Sequence, residues 1–309
     1  TLFSGIGTLS DKIKVLKLNR FLKPKSLSEI FGGKEKTTLS YLMDFGFSFQ
    51  MIDQFFKPFF SGIFLEPNLD TSSRMFEFIY KMFGEGYAAL PKSGIGAIPQ
   101  QLAKGLTRTT FKYCTKVNSI KDGELHLTNG ENLKNDFTIV ATDVHHLIPN
   151  RNRQSMKWKS CDTLYFETKN RVIDKPLIGL IPNSGALINS IFFHSSLEMA
   201  TKPQSELLSV TIVKNHDLLD EALIHRVQRE LKDHCGINSI KFLKRYTIPM
   251  ALPDLKNIQY EIAPSETQLT SSIFLAGDTQ LNGSLNAAMI SGERAAMGVI
   301  ETINSSIIS

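Results

Sequence analysis

SIFLAGDTQLNGSLNAAMISGERAA, residues 272–296, is the stretch on which the fold turns. Ile273-Phe274-Leu275-Ala276 is a short continuous apolar run, the pattern of a strand buried on both faces. It stops at Gly277-Asp278, passes through a short loop and opens a helix at Gly283-Ser284. A strand end that faces a helix N-terminus is where α/β sheets bind dinucleotides. The residue types suit that role. Gly277 allows close approach of the backbone to a ligand, and Asp278 offers two acceptors to sugar-type hydroxyls. The free N–H groups around Leu285 and Asn286 point at an electron-rich group. Ala288, Ser291, Gly292 and Ala295 make a small helix face at i, i+3, i+4 and i+7, suited to tight packing against a cofactor or a sheet. A small-faced helix at a domain edge has the same pattern, so the residues alone leave both readings open.

The bulk properties are those of an ordinary globular chain. It has 309 residues, 42% hydrophobic and 21% charged, enough for a sizeable core in one large or two modest domains. A net charge of +5 from 35 basic and 30 acidic side chains is mild. The basic residues are scattered, not gathered in the stripe that nucleic-acid binding needs, so no nucleic-acid partner is expected. Cys114, Cys161 and Cys235 are far apart and form no CxxC pair, which argues against a disulfide framework and for a reducing, cytoplasmic location. The histidines have no metal-ligand spacing, and no metal is expected. The most lipophilic run, FFKPFFSGIFL at 55–65, is too short to span a bilayer and holds Lys57 and Pro58. It leaves room for peripheral membrane contact only. The start has no leader-like pattern, and the first residue is Thr1.

Residues 1–87 read as helical. Ser10 and Asp11 are expected to cap the first helix, Ser26 a short one ended by Gly32-Gly33, and Thr37 or Thr38 the next. An apolar stripe of Phe47, Met51, Ile52, Phe55 and Phe56 is expected to end at Pro58, and Ser72-Ser73 to cap MFEFIYKMF. This dense phenylalanine either forms core or lines a lipophilic pocket. LPKSGIGAIPQQLAKGL, 90–106, reads as a glycine turn feeding a helix ended by Gly105, and hairpin turns are expected at Asp122-Gly123 and Asn129-Gly130. From 151 to 269, strands CDTLYFET, PLIGLI, INSIFF, ELLSVTIV and KFLKRYTI alternate with one long helix stopped by Gly236. The last of these strands is expected to give way to a loop at Pro249 and Pro253.

Residues 272–296 resemble the C-terminal FAD signature of flavin amine oxidases and phytoene desaturases. In that family a strand ends in a Gly-Asp pair, and a Gly-Ser or similar cap opens a helix with an internal Ser-Gly. Ala287 stands where the family often has Gly. LPKSGIGAIPQQLAKGL is similar to the family's P-x-G-G-M-x-x-I-P-x-x-L stretch, with Gly94 and Pro99 in matching positions. FKYCTKVNSI followed by TIVATD, FKPFFSGIFL and YTIPMALP also resemble family phrases, so the likeness runs over nearly the whole chain.

The resemblance implies an α+β or α/β protein. Its FAD-binding domain, of the glutathione reductase-like type, would comprise 88–150 and 270–309, and its substrate domain, with a mixed or antiparallel sheet, 1–87 and 151–269. It implies FAD as cofactor, with Asp278 hydrogen-bonding the ribityl chain and the backbone amides of Leu285 and Asn286 at the isoalloxazine, behind the Gly277 and Ser284 ends. Val117 would meet adenine with its backbone, and Ala141 would lie where the chain passes the cofactor. The family's opening strand, G-x-G-x-x-G and helix have no counterpart here, so the chain is expected to be a fragment that begins after that unit and is inactive alone. Some amine oxidases carry a lysine near the flavin, but no motif fixes Lys157 or Lys159 in that place, and no catalytic residue is assigned. The activity implied is removal of hydride from an apolar or amine substrate, the phenylalanine-rich third favouring a small lipophilic one. A non-catalytic lipid- or prenyl-binding protein of the same fold, as in Rab GDP-dissociation inhibitors, is the alternative.

Overall fold

The computed structural model describes residues 5–148, 156–197, 205–238 and 240–308. Helices α1 (Leu9–Leu22), α2 (Leu27–Phe31), α3 (Thr38–Asp44), α4 (Phe49–Met51), α5 (Lys57–Phe64) and α6 (Ser73–Glu85) come first, followed by α7 (Ala97–Lys104). Strands β1 (Val117–Lys121), β2 (Glu124–Leu127), β3 (Asn132–Lys134), β4 (Thr138–Val140), β5 (Trp158–Thr168), β6 (Gly179–Leu180), β7 (Ile188–Phe193) and β8 (Glu206–Ile212) precede α8 (Asp220–Cys235). Then come β9 (Ile240–Pro253), β10 (Ile273–Leu275) and α9 (Leu285–Ile308). The chain forms two compact units, Thr1–Phe78 with Lys157–Asp254, and Ile79–Met156 with Leu255–Ser309.

In the first unit, Thr8 rather than Ser10 caps α1, and Asp11 completes its capping box. The reason is that the Asp11 carboxylate serves two helices at once. It accepts from the Thr8 N–H and hydroxyl, both at 2.7 Å, and from the Ser48 N–H at 2.8 Å and hydroxyl at 2.7 Å. Ser48 is itself the cap of α4. Burial would raise the Asp11 pKa, but the hydrogen bonds from Ser48 and Thr8 outweigh it and hold the carboxyl well below its ordinary range. The helix also continues past Pro58. A π-helical turn at Ile52–Phe56 runs without a break into α5, and Pro58 stands just after the junction, where the backbone ladder already departs from α-helical spacing. Phe56, Phe60, Phe64 and Phe76 are fully buried in the core, with the Phe60 and Phe76 rings 4.7 Å apart, while Phe21 and Phe49 are exposed.

The same unit holds a five-stranded antiparallel sheet in the order β6-β7-β8-β5-β9. One face is covered by α8, whose Leu223, Val227 and Leu231 pack on Leu164, Phe166, Ile191, Phe193, Leu208 and Val210. The period-two alternation of β5 and β8 produces that face. Glu230 of α8 pins the helix to β7 by accepting from the N–H groups of Leu187 and Ile188. β7 meets α5 so closely that a Cβ on Gly62 would lie 2.7 Å from Asn189 Nδ2, whose amide donates to Pro58 O. β9 does not stop at Pro249 but runs to Pro253. It is an edge strand, where a proline forfeits no ladder bond, and its register with β5 shifts between Lys159 and Cys161, opposite that stretch.

In the second unit, β1, β2 and β3 form a meander whose turns use Gly123 and Gly130 at positive φ. β4 and β10 pair in parallel. The Asp122 carboxylate, at the first hairpin turn, accepts from the N–H and hydroxyl of Ser272 and so ties the meander to the start of β10. α9 lies against β10, with Ala295 packed on Phe274 and Ala276. At Gly298 a Cβ would lie 2.8 Å from Pro264 O and 2.9 Å from the Phe274 ring. Among the described residues no helix is long and apolar enough to cross a membrane.

The Asp11 network makes a pH-dependent contribution. A carboxylate whose folded pKa is depressed contributes its full stability above the unfolded value of about 3.9, and the contribution is lost as pH falls toward the folded value. Asp11→Asn is expected to cost about 2 kcal/mol at neutral pH, with the gap from wild type narrowing below about pH 4. Urea unfolding of both proteins across that range checks it; a gap independent of pH would contradict it.

Candidate functional site

The residues expected to form a site all fall in the second unit, and all but Val117 lie around the ends of one strand pair. β10 is three residues long and buried throughout, and it aligns Ile273, Phe274 and Leu275 with Thr138, Ile139 and Val140 of β4. The pairing extends one bond further, as the Ala276 N–H donates to Val140 O at 2.9 Å. Two parallel strands therefore end side by side, one at Ala141 and the other at Gly277. Ala141 is exposed there.

Gly277 has φ 118° and ψ 164°, a conformation essentially restricted to glycine. A Cβ at this position would have room, its nearest neighbour being Thr279 Oγ1 at 3.9 Å, so it is the backbone angle that demands Gly. Ser291, fully buried on α9, holds this conformation. Its oxygen accepts from the Gly277 N–H at 2.9 Å and lies 2.9 Å from Gly277 O and 3.0 Å from Ala288 O, with one proton to give to either carbonyl. Sequence reading assigned Ser291 only a small volume. Its partner lies fourteen residues away, and no local signal marks the pair.

Asp278 opens a 3-10 turn to Gln280, and its carbonyl accepts from the N–H groups of Leu281 and Gly283. The turn reverses the chain into α9. The Asp278 side chain is half-buried, and among the described residues its carboxylate accepts no hydrogen bond. Ser284 caps α9 by accepting from the Ala287 N–H at 3.1 Å and donates to Asn282 Oδ1 at 2.7 Å. Leu285 and Asn286, the first two residues of the helix, are exposed, and N–H groups at that position have no intrahelical partner. Ala287, by contrast, is fully buried with Ile262 and Leu281, so its methyl fills the core and not the site.

The small face of α9 divides in two. Ser291 and Ala295 pack on the β10 end, while a Cβ on Gly292 would meet nothing within 4 Å. Val117 lies elsewhere, in β1, and joins the others through the core cluster of Ile120, Val140, Ile273 and Leu275. The structure thus brings Ala141, Gly277, Asp278, Ser284, Leu285 and Asn286 around the strand ends and α9 N-terminus, with Val117 packed on the same strands. Of the two lysines considered for a catalytic place, both in the first unit, Lys159 donates to Thr71 Oγ1 at 2.8 Å, a structural tie. A group that fits this geometry carries hydroxyls for a free carboxylate and an electron-rich edge for helix N–H groups. The sugar-like chain and ring carbonyls of a flavin dinucleotide meet that description.

The family model for flavin containing amine oxidoreductase matches residues 8–300. The comparison with curated proteins gives no match. Among solved structures, an oxidoreductase from Methanosarcina mazei is similar over 95% of this chain and 73% of its own, with a TM-score of 0.70 and 13% identity. A protein from Pyrococcus furiosus is similar over 94% of this chain and 73% of its own, with a TM-score of 0.61 and 14% identity. Putrescine oxidase, solved with putrescine bound, is similar over 96% of this chain and 77% of its own, with a TM-score of 0.65 and 10% identity. At these identities the likeness is one of fold: a mixed α/β fold of the kind found in this superfamily.

The Ser291 contact yields a stability prediction. Ser291→Ala leaves the part-buried Gly277 N–H without its partner and is expected to cost about 1–3 kcal/mol. Gly277→Ala is expected to cost a similar amount through backbone strain. Thermal unfolding of both variants tests this, and two wild-type midpoints would contradict it.

Proposed function

The chain belongs to the family of flavin containing amine oxidoreductases, and from that premise we propose that it is part of an FAD-dependent oxidoreductase that removes hydride from an apolar or amine substrate. The observation that carries the proposal is the Gly277 turn: two parallel strand ends, a glycine-only backbone clasped by Ser291, and a free carboxylate beside an open helix N-terminus. On this reading 88–150 and 270–309 form the cofactor-binding domain and 1–87 and 151–269 the substrate domain.

FAD, when bound, supplies the acceptor for the hydride. The chain's own residues bind and orient it. Asp278 accepts hydrogen bonds from the sugar-type hydroxyls. Gly277 lets the backbone approach without a side chain between. Ser284 fixes the start of α9, and the N–H groups of Leu285 and Asn286 then present partial positive charge to an electron-rich edge. That charge is worth more as negative charge grows there on reduction. Ala141 bounds the site from the neighbouring strand, and Val117 supplies backbone groups to the adenine end.

The test is titration of the purified chain with FAD, followed by flavin fluorescence. Weak but saturable binding is expected, reduced at least about tenfold further in Asp278→Ala, the loss that goes with removing hydrogen bonds to a charged acceptor. A folded protein that takes up no flavin would sink the proposal and favour a non-catalytic lipid- or prenyl-binding role.

A further inference from the structure

The sheet of the first unit has a second face, opposite α8. Because Leu164 and Phe166 point to α8, the alternate residues Thr163 and Tyr165 point the other way. Register places Tyr246 beside Thr163 and Lys244 beside Tyr165. These four, with Leu207, Leu243 and Ile248, line an open cleft of about 470 Å³. That volume lies within the roughly 300–1,000 Å³ of small-molecule sites. The walls are aromatic and aliphatic. The Tyr165 and Tyr246 rings meet edge to face at 5.8 Å, and His194 stands 5.8 Å from Tyr165. Burial lowers the His194 pKa, and its Nε2 is 2.9 Å from Ser209 Oγ, so the ring is neutral at neutral pH.

One lining side chain is charged. The Lys244 ammonium rests 4.8 Å from the centre of the Tyr246 ring, and among the described residues it has no carboxylate partner. The nearest acidic position on this face of β5, Glu167, is paired with Lys241 at 3.6 Å. The cleft therefore has an apolar body with a single positive end. A protonated amine would meet a like charge and no carboxylate to neutralise it; an anion would find a counter-ion set on an aromatic wall.

We propose that this cleft binds an apolar small molecule carrying a carboxylate, with Lys244 as the counter-ion of that carboxylate and Tyr165 and Tyr246 packed against its body. Taken with the oxidoreductase reading, on which this use of the cleft rests, the substrate is an apolar acid and not a cationic amine.

The experiment uses the whole chain and two fluorescent probes with one pyrene body, pyrenebutyrate and pyrenemethylamine, read by anisotropy. The carboxylate is expected to bind about tenfold tighter than the amine, the scale of a charge-assisted contact. Lys244→Glu should reverse the preference, Lys244→Arg should keep it, and Tyr246→Ala should weaken both probes, with circular dichroism checking that each variant is folded. Equal binding of the two probes, binding of neither, or an unchanged preference in Lys244→Glu would overturn the proposal. The readout does not depend on flavin. A flavin-free chain that selects pyrenebutyrate would refute the oxidoreductase reading and leave the cleft standing; a chain that binds flavin without selecting the carboxylate would do the reverse.

Discussion

The second unit depends on a single backbone angle. Gly277 has to leave β10 in a conformation that other residues avoid, because only then does the chain turn through Asp278–Gln280 and enter α9 beside the strand it has just left. Ser291, on the helix the turn creates, holds that angle by accepting from the glycine's N–H, with its own proton within reach of the Gly277 carbonyl. The arrangement is circular in a useful sense: the turn positions the helix, and the helix holds the turn. Close packing completes it, since Gly298 leaves space only for Phe274 and Pro264 O. A carboxylate and a row of helix N–H groups consequently face outward at the strand ends, where nothing in the unit's own core consumes them.

The same logic separates what the sequence could reveal from what it could not. Gly277, Asp278, Gly283 and Ser284 are punctuation, glycines that permit backbone angles other residues avoid and polar residues suited to turns and caps, and so the strand–turn–helix was legible. Gly123, Gly130 and Gly236 ended their elements through positive φ in the same way. Ser291 was not legible as a clasp, because a serine inside a helix has no local role and its partner is fixed only once the chain has folded back. Asp11 misled in a related way. Next to Ser10 it looks like a cap, whereas its carboxylate is claimed by Thr8 and by Ser48, thirty-seven residues on. The prolines were over-read. Pro58 follows a π-helical turn inside a continuing helix and Pro249 lies within an edge strand, places where a proline is tolerated.

The first unit answers to different forces. Its sheet is held by apolar alternation against α8, which commits one face to the core, while β7 also meets α5 and an open cleft lies on the face away from α8. Phe56, Phe60, Phe64 and Phe76 of the helices lie in the core, while Tyr165, Tyr246, Leu243 and Ile248 line the cleft on the sheet. Within each unit, the residues that build the fold and those that face solvent at a site come from the same elements, one residue apart on strands and one turn apart on α9.

The central claim is that FAD is held at the Gly277 turn. Amide hydrogen exchange, followed by mass spectrometry with and without FAD, tests it most directly. The account predicts slowed exchange in peptides spanning 277–288 and 138–143, where the open N–H groups of the α9 N-terminus and the two strand ends lie, with the α8-backed sheet of the first unit unchanged on its buried face. Unaltered exchange at 277–288 in the presence of saturating FAD would contradict it.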